Sequence, residues 1–484
     1  MKKLNRRDFL RTVGCGALGA LGSAYLIRPG KAWAEISGGQ KPNFVFILID
    51  DLGWRDLSCY GSTFYETPHT DRLAREGMKF TNAYAACPVC SPTRASILTG
   101  KYPARLHLTD WIPGHKRPQA KLRVPEFNQQ LPLEEVTIAE ALKPLGYVSA
   151  SFGKWHLGGK SFYPEDQGFD LNFAGDHRGQ PPRYFYPYRI PNVQTGRKGE
   201  YLTDRLTDEA EKFIEKNKDK PFFIYLTHYA VHTPLQAKEE LIARYRAKVK
   251  PGQAQKNATY AAMIQSVDES VGRIVRKLDE LGIAGRTVVM FMSDNGGLVP
   301  VTSNSPLRAG KGTMYEGGIR EPMIVRWPGV VEPGSTCDVP VTSVDFYPTI
   351  LEIAGAKGVP GQNVDGVSLV PLLKRTGALQ RDAIYWHYPH YHPGGATPCG
   401  AVRQGDYKLI EFYEDGRVEL YNLRKDIGER NDVASDMPEM AAGLRKKLAD
   451  WRRVVNAQMP TPNPDYVPES ACQGPERGQT EPKV

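Results

Sequence analysis

The chain has 484 residues, enough for one large domain or a large domain with a smaller one, and its 40% hydrophobic and 24% charged residues exclude a largely disordered protein. Of the formal net charge of +9, the first 34 residues carry +6, from seven Lys and Arg against one Asp, so the remainder carries +3. So small a charge excludes nucleic-acid binding through a strongly basic surface.

The N-terminal segment has the features of an export signal. Arg6-Arg7-Asp8-Phe9-Leu10 is a twin-arginine pattern, an apolar Gly- and Ala-rich run follows over residues 12–27, and Ala32-Trp33-Ala34 is a small-residue cleavage site. A membrane anchor is the alternative, but the run is shorter than the ~20 residues that span a bilayer. Residues 1–34 are therefore predicted to be a signal peptide for the twin-arginine translocase, and the mature protein is expected to be periplasmic or extracellular.

Short apolar runs alternate with amphipathic stretches through most of the chain. The amphipathic stretches at 204–216 and 260–281 predict helices, and the apolar runs predict strands buried on both faces. Such alternation predicts an α/β fold with a large, mainly parallel sheet flanked by helices, assigned here to residues 35–375. The predicted strands lie at residues 44–49, 147–152, 222–226, 287–292 and 323–325.

The residues after about 375 have a different pattern. Residues 383–392 and 400–421 are aromatic and alternating, with a turn at Glu414-Asp415-Gly416, and residues 440–454 have a helical pattern. These features predict a smaller C-terminal α+β subdomain over residues 376–460, with an antiparallel sheet and a closing helix. The Pro-rich, polar residues 461–484 are expected to form a poorly ordered tail.

Polar side chains follow four of the predicted strands. Because ligands of open α/β sheets bind beyond the carboxyl ends of the strands, these side chains are expected to form one site. Their types are carboxylate, amide, lysine and histidine. They are Asp50 and Asp51, Lys154 and His156, His232, and Asp294 and Asn295.

A short helix is predicted to begin at Cys90, in the segment Cys90-Ser91-Pro92-Thr93-Arg94 that precedes A-S-I-L-T-G. Pro92 suits a first helical turn, Gly100 suits the position after the helix, and the helix dipole together with Arg94 favours an anion there. The alternatives are a cap with a chance cysteine, or a Cys87–Cys90 redox pair or half zinc site. No second C-x-x-C completes a zinc site, and no thioredoxin-like unit surrounds the pair.

The acidic residues of the expected site favour a hard cation. Asp50, Asp51, Asp294 and Asn295 offer oxygen ligands suited to calcium or magnesium, and calcium tolerates irregular ligand sets better. The alternative is that they form turns and caps. Lysine and histidine occur beside them in Gly153-Lys154-Trp155-His156, His232-Thr233-Pro234 and Gly310-Lys311-Gly312, where glycines allow a close backbone approach.

These segments closely resemble the type I, formylglycine-dependent sulfatases, the arylsulfatase family of the alkaline-phosphatase-like superfamily. The resemblance extends from about residue 42 to about 454. C-S-P-T-R is the sulfatase signature in its cysteine form, and the D-D, G-K-W-H-L-G, H-T-P, S-D-N-G-G and G-K-G-T-x-Y-E-G-G blocks occur in the family's order. The resemblance implies the alkaline-phosphatase-like fold and hydrolysis of sulfate esters to alcohol and inorganic sulfate.

The resemblance also implies a role for each matched residue. Cys90 would be oxidised to formylglycine, by a formylglycine-generating or anaerobic sulfatase-maturing enzyme, and its hydrate would be the nucleophile. One Ca²⁺ per chain would be held by Asp50, Asp51, Asp294, Asn295 and the modified residue 90. Arg94 and Lys154 would orient the hydrate, Lys311 and His232 would bind sulfate, His156 would be the base, and His232 or Lys311 would protonate the leaving alcohol.

Substrate selectivity is expected from less stereotyped segments at residues 106–111 and 386–392. Sulfatases with such segments resemble enzymes acting on galactose or N-acetylgalactosamine sulfates, so an exo-acting enzyme on such a sulfated carbohydrate is the first hypothesis. His107, Asp110 and His387 are its predicted sugar contacts; alternatively, these segments pack two parts of the chain together. The rival functions are a phosphonate or phosphodiester hydrolase of the same superfamily and an inactive binder of sulfated glycans.

Overall fold

The computed structural model describes residues 41–468 except 357 and 360. The predicted signal peptide lies outside the described residues. No helix within the described part of the chain is both long enough and apolar enough to span a bilayer.

The described residues form a large sheet with helices, followed by a small sheet with one long helix. The strands of the large sheet are β1 (Asn43–Ile49), β2 (Met78–Tyr84), β4 (Val148–Gly153), β5 (Leu171–Phe173), β6 (Phe222–Thr227), β7 (Thr287–Ser293), β8 (Arg320–Arg326), β9 (Ser335–Cys337) and β10 (Val341–Thr342). The helices are α1 (Pro68–Glu76), α2 (Cys90–Thr99), α3 (Pro103–Leu106), α4 (Ile138–Leu142), α5 (Leu202–Asn217), α6 (Glu239–Arg246), α7 (Ala258–Glu280), α8 (Glu316–Ile319), α9 (Phe346–Ala354), α10 (Val370–Leu373) and α11 (Pro438–Val454).

The large sheet has nine strands and is mainly parallel. Its order is β10-β2-β8-β7-β1-β6-β4-β5, with β9 paired to β2. β7, β1, β6 and β4 are parallel neighbours, whereas β8 is antiparallel to both β7 and β2. The predicted α/β architecture is confirmed, and the carboxyl ends of the four central parallel strands meet at one edge.

Alternation along β1 divides the core between the two faces of the sheet. Val45 and Ile47 pack in one buried cluster, with α5 and α7, while Phe44 and Phe46 pack in the other, with α2 and α9. Each face buries a continuous apolar layer, so the central strands contain apolar side chains in both directions. This explains why their sequences are nearly continuous apolar runs.

The C-terminal residues form an antiparallel sheet covered by a helix, as predicted. The strands β11 (Ile384–Tyr388), β12 (Cys399–Gln404), β13 (Tyr407–Phe412) and β14 (Val418–Asn422) pair in chain order. One face of this small sheet packs on the part of the chain that contains the large sheet, through a cluster that includes Trp386, and α11 covers the other face. These elements lie within the range 376–460 assigned to the subdomain.

The expectation of a poorly ordered tail is wrong for residues 461–468. β15 (Thr461–Pro462) pairs antiparallel with β3 (Leu122–Arg123), and Asn463 Nδ2 donates to the carbonyl oxygens of Pro118 and Ala120. Pairing with an edge strand far away in the sequence does not require an apolar or alternating pattern, so the polar, Pro-rich composition alone suggested disorder. The rest of the predicted tail, residues 469–484, lies outside the described residues.

Candidate active site

The helix α2 presents Cys90 at its N-terminus, at the edge where the central strands end. The helix begins at Cys90 and stops at Gly100, whose φ of 70° is left-handed and whose N–H reaches the carbonyl oxygen of Ser96. All of α2 is buried, and Cys90 itself is 3% exposed. Position 90 therefore faces the strand ends through the positive end of a helix dipole.

His156 is in contact with Cys90 and has a defined tautomer. Its Nδ1 lies 3.3 Å from Cys90 Sγ, and its Nε2 lies 2.5 Å from the carbonyl oxygen of Ile112. Because a carbonyl oxygen can only accept, Nε2 carries the proton and Nδ1 faces Cys90 with a lone pair. Burial, reinforced by the charge of Lys154, holds the pKa of His156 well below its ordinary value. The residue at position 90 thus has a neutral base beside it.

Arg94 and Lys154 hold two of the predicted metal-binding carboxylates. Arg94 donates from Nε and Nη2 to Asp294 Oδ2 at 2.9 and 2.7 Å, and from Nη1 to the carbonyl oxygen of Lys154 at 2.9 Å. Lys154 Nζ donates to Asp50 Oδ2 at 2.8 Å. All four side chains are fully buried, so these charged hydrogen bonds act in a low-dielectric setting.

Asp51 is surrounded by the remaining predicted residues. Lys311 Nζ lies 2.7 Å from its Oδ1, Asn295 Nδ2 donates to the same oxygen at 2.8 Å, and His232 Nε2 lies 3.6 Å from its Oδ2. His232 Nδ1 lies 2.8 Å from the carbonyl oxygen of Thr233, so Nδ1 carries the proton and Nε2 has the lone pair. Sequence-distant blocks therefore meet at one point, as predicted.

The charges at the site shift one another's ionisation. Burial raises the pKa of Asp50 well above its ordinary value, against the charge of Lys154. Burial also acts to raise the pKa of Asp51, but Lys311 and His232 outweigh it and lower that pKa below its usual range. Burial, together with the charge of Lys311, lowers the pKa of His232 to about 3, so this ring is neutral at neutral pH.

The oxygen atoms at the strand ends fit a divalent cation. Asp50 Oδ1 and Asn295 Oδ1 are buried and have no hydrogen-bond partner among the described residues. Buried acceptors without donors are costly, and a hard cation satisfies several of them at once. A carboxylate oxygen of Asp50, one of Asp51 and a ring nitrogen of His232 also lie within 4.8 Å of one another. His232 therefore lies beside two of the predicted metal-binding carboxylates.

Asp56 braces this region and was missed by sequence reasoning. Its carboxylate accepts from Tyr260 OH at 2.7 Å, Gly53 N at 3.0 Å and Thr302 Oγ1 at 2.9 Å. Tyr260 OH also lies 3.0 Å from the carbonyl oxygen of Asp51. Asp51 itself has a left-handed backbone, with a φ of 61°. Asp56 therefore stabilises the left-handed turn that brings Asp51 into the site. Its sequence position, five residues after a D-D pair, carries no signal for a contact with α7.

The three predicted sugar contacts have structural partners instead. His107 Nε2 lies 2.9 Å from the carbonyl oxygen of Asn456, and Asp110 Oδ1 accepts from Tyr388 OH at 2.8 Å. His387 is 3% exposed, and both its ring nitrogens are in hydrogen bonds, at 2.8 Å each, with Tyr413 OH and the carbonyl oxygen of Gln458. Asp110 is also almost fully buried. For His107 and His387 these contacts favour the alternative, that the segments pack two parts of the chain together. Asp110 Oδ2 is buried and has no hydrogen-bond partner among the described residues, so a substrate contact at Asp110 stays a prediction.

His392 lies at the site although it was not singled out. A Cβ at Gly312 would collide with its ring, and Gly312, with φ 84°, follows Lys311 directly. Burial and the charge of Lys311 lower the pKa of His392 to about 4. The glycine next to Lys311 is thus explained by the close approach of a histidine from the C-terminal subdomain. The glycines on both sides of Lys311 indicated a close backbone approach, but the sequence alone does not show which residue approaches.

Family models match nearly all of the described residues. Residues 42–356 match the family described as Sulfatase, and residues 309–454 match the one described as N-sulphoglucosamine sulphohydrolase, C-terminal. The chain is also similar to a protein named Sulfatase from Formosa agariphila, with 34% identity covering 85% of this chain and 89% of the relative. It is similar to the N-acetylgalactosamine-6-sulfatase of Sus scrofa, with 36% identity covering 72% and 69%.

A solved structure agrees with these relatives. The structure of Ps i-CgsB in complex with k-i-k-neocarrahexaose superposes with a TM-score of 0.72 at 33% identity, covering 85% of this chain and 93% of that one. At this coverage the likeness extends beyond the large sheet into the C-terminal subdomain. The residues that converge at the strand ends are therefore found on an architecture that other enzymes share.

Proposed function

The chain belongs to the sulfatase family and is a sulfuric ester hydrolase with the alkaline-phosphatase-like fold, and we propose that it acts through a formylglycine made from Cys90 and a bound Ca²⁺. The observation that carries this proposal is the position of Cys90. It lies at a helix N-terminus, 3.3 Å from the unprotonated Nδ1 of His156, beside three buried carboxylates and three cations.

Formylglycine at position 90, once hydrated, would supply one oxygen to attack sulfur and a second hydroxyl whose deprotonation expels sulfate and restores the aldehyde. His156 Nδ1 is placed to accept that second proton, since it contacts the side chain of residue 90 with a lone pair. Its Nε2–H, held by the carbonyl oxygen of Ile112, fixes the ring in this orientation. General-base catalysis by such a positioned histidine typically contributes about 10²- to 10⁴-fold.

The cation would be held by Asp50, Asp51, Asp294 and Asn295 with residue 90, and when bound it supplies Lewis-acid stabilisation of the attacking oxygen and the sulfate oxygens. The two orphan oxygens, Asp50 Oδ1 and Asn295 Oδ1, support this assignment. An all-oxygen protein set without thiolate favours Ca²⁺ over zinc. Arg94 and Lys154 orient two of these carboxylates through their hydrogen bonds to Asp294 and Asp50.

Lys311 is the better candidate for the acid that protonates the leaving alcohol. His232 donates its Nδ1 proton to the carbonyl oxygen of Thr233, so its Nε2 has no proton to give in this orientation. Lys311 Nζ carries three protons and lies at the mouth of the site, 10% exposed. His232 and Lys311 then have different roles: both face the sulfate, but Lys311 alone supplies a proton.

We propose that the substrate is a sulfated carbohydrate, and galactose sulfate and N-acetylgalactosamine sulfate are the first candidates. Two comparisons support this choice: a relative named N-acetylgalactosamine-6-sulfatase, and a neighbouring structure in complex with k-i-k-neocarrahexaose. The twin-arginine pattern at Arg6-Arg7 supports export, so the substrate would be met outside the cytoplasm after a maturing enzyme has acted inside it. Cell fractionation of the wild type and of an Arg6→Lys, Arg7→Lys variant tests the export step.

The test of function uses protein matured with a formylglycine-generating enzyme. Mass spectrometry of the peptide containing residue 90 measures the conversion, and 4-nitrophenyl sulfate and bis(4-nitrophenyl) phosphate compare sulfatase with phosphodiesterase activity. We expect preferred turnover of the sulfate, loss of it in Cys90→Ala, and retention in the matched Cys59→Ala variant. Full activity with an intact Cys90 thiol would refute the modified nucleophile.

Metal dependence is tested by elemental analysis of the purified enzyme before and after chelation. We expect about one Ca²⁺ per active chain and recovery of turnover when calcium is returned. Asp294→Asn should lose both the metal and the activity, while circular dichroism reports an intact fold. Undiminished activity in metal-free protein would contradict the assignment.

A further inference from the structure

A polar cavity of about 560 Å³ is lined by residues 117–121, by residues of the C-terminal subdomain and by residues 466–467. We call it the distal cavity. Its lining includes the Arg117–Lys121 segment on one side, Tyr391, Thr397 and Glu414 on another, and Tyr466 from the C-terminal residues. Its volume is in the range of about 300–1,000 Å³ typical of small-molecule sites. The mechanism proposed above uses none of these residues.

One wall of the distal cavity begins at the nucleophile. Ile112 accepts from His156 Nε2 through its carbonyl oxygen and donates its N–H to Ser91 Oγ at 3.2 Å, next to Cys90. Five residues later the same loop reaches Arg117, whose guanidinium lies 5.3 Å from the centre of the Tyr391 ring. The loop that contacts His156 and Ser91 at Ile112 therefore continues into the cavity wall.

The other wall begins at the sulfate-binding lysine. His392 lies against Gly312, the neighbour of Lys311, and Tyr391, one residue earlier, lines the cavity. The Tyr391 hydroxyl donates to Glu414 Oε1 at 2.7 Å and accepts from Leu122 N at 3.0 Å, so this side of the cavity is fixed. This wall therefore leads from the neighbour of Lys311, through His392, to the cavity-lining Tyr391.

The residues at 117–121 are held in place by the C-terminal segment. Asn463 Nδ2 donates to the carbonyl oxygens of Pro118 and Ala120 at 2.8 and 2.7 Å, and β15 pairs with β3 immediately after Lys121. Tyr466, 45% exposed, then forms a further side of the cavity. A site whose walls are tied by backbone pairing and side-chain hydrogen bonds is pre-formed, which lowers the entropic cost of binding.

The chemistry of the lining suits a sugar. Tyr391 and Tyr466 offer aromatic rings for sugar C–H groups, and Gln119, Thr397 and Glu414 offer polar atoms for hydroxyls. Lys121 adds an ammonium group that can bind a carboxylate or a sulfate on the sugar.

We propose that the distal cavity binds the sugar next to the sulfated one, so that this enzyme is selective for oligosaccharides over monosaccharides. The proposal rests on the proposed function and extends it, because it assigns selectivity to residues other than His107, Asp110 and His387. No bond is made or broken in the cavity. Its residues contribute binding energy, which is expected in KM.

The experiment compares chain lengths with matched variants. The probes are galactose 6-sulfate and N-acetylgalactosamine 6-sulfate, each as the monosaccharide and at the non-reducing end of a trisaccharide whose second sugar is a hexuronate. We expect the trisaccharide to have the lower KM for at least one pair. Tyr466→Ala and Lys121→Ala should each raise that KM roughly three- to tenfold and leave turnover of 4-nitrophenyl sulfate unchanged.

The control is Lys446→Ala, which removes one exposed lysine on α11, the helix that covers the other face of the small sheet. It should change neither the KM for the trisaccharide nor the turnover of 4-nitrophenyl sulfate. Calorimetry with Cys90→Ala and the same four saccharides measures binding when turnover is absent. Equal KM and equal affinity for mono- and trisaccharides, or no effect of the two cavity variants, would overturn the proposal. Failure to hydrolyse 4-nitrophenyl sulfate would instead count against the proposed function, and the binding data would still test the cavity.

Discussion

Lys408→Met tests how the C-terminal subdomain is held against the loop that carries Lys311. Lys408, on β13, is fully buried and its Nζ lies 2.7 Å from Glu316 Oε1, 2.6 Å from Glu429 Oε1 and 2.9 Å from the carbonyl oxygen of Met314. Glu316 begins α8, directly after that loop, and also accepts from Arg320 at 2.6 Å. One lysine thus compensates two buried carboxylates from separate segments.

Removing Lys408 leaves Glu316 with Arg320 and Arg403, but it deprives Glu429 of its ion-pair partner. Breaking a buried ion pair by deleting one partner typically costs about 3–5 kcal/mol, and we expect a loss of that size in the free energy of unfolding. Burial raises the pKa of Glu429 to about 7, against the charge of Lys408. Without the lysine this pKa rises further, so Glu429 is protonated at pH 6 and the penalty grows as the pH rises to 8, because folding must then keep a proton that the unfolded chain releases.

Urea denaturation followed by tryptophan fluorescence at pH 6 and pH 8 measures the effect. The compensating variant Lys408→Met with Glu429→Gln should recover a large part of the loss and its pH dependence, since it removes one buried charge with the other. The matched surface variant Lys446→Met should lose less than about 0.5 kcal/mol. A Lys408→Met loss below about 1 kcal/mol, or one that is the same at both pH values, would refute the reasoning.

Three further outcomes are expected. Lys311→Met should lower kcat by about 10²-fold or more for a sugar sulfate but much less for 4-nitrophenyl sulfate, whose leaving group needs no proton; equal losses would exclude Lys311 as the acid. His156→Gln should release about one equivalent of nitrophenol and then stop, with a sulfated enzyme visible by intact mass, whereas steady turnover would contradict its role as the base. Burial lowers the pKa of His387 to about 4, so the folded state excludes a proton that the unfolded state binds. This residue should contribute about 3 kcal/mol of the stability lost as the pH drops from 6.5 to 4, so the loss measured by urea denaturation should be smaller by about that amount in His387→Gln.

The strands and the nucleophile helix were predictable because their signals are local. β1, β6 and β7 are buried on both faces, so each is a short apolar run that ends at a polar residue. The helix α2 is bounded by Pro92 in its first turn and by Gly100, whose left-handed φ favours glycine. Parallel pairing then brings the residues that follow each strand to the same edge, so the convergence of Asp50, Lys154 and Asp294 followed from the predicted strand positions and a parallel sheet.

β8 shows where such signals become ambiguous. Its apolar run was predicted at residues 323–325, yet the strand extends over Arg320–Arg326 and contains buried Arg320, Glu321 and Arg326. Arg326 pairs with Glu76, which lies far away in the sequence, whereas Arg320 pairs with Glu316, four residues before it. Burial raises the pKa of Glu321 well above its ordinary value. A pattern of hydrophobic residues cannot reveal a buried charge whose partner lies far away in the sequence, and this also explains why Asp56 was missed.

The residues that set substrate selectivity were the hardest to infer, because their role depends on the position of a segment in the fold and not on its amino-acid composition. Histidines such as His387 and His107 are common in sugar sites, yet a ring nitrogen of each is hydrogen-bonded to a backbone carbonyl oxygen. Tyr466 lies in a stretch whose composition suggested disorder, yet backbone pairing near it places it in the lining of the distal cavity. The bond-breaking residues follow strand ends and are fixed by the sheet, whereas the distal cavity is assembled from three loops and a terminal segment. Variation in those loops can therefore change the saccharide without moving Cys90, His156 or the carboxylates, which separates selectivity from chemistry within one fold.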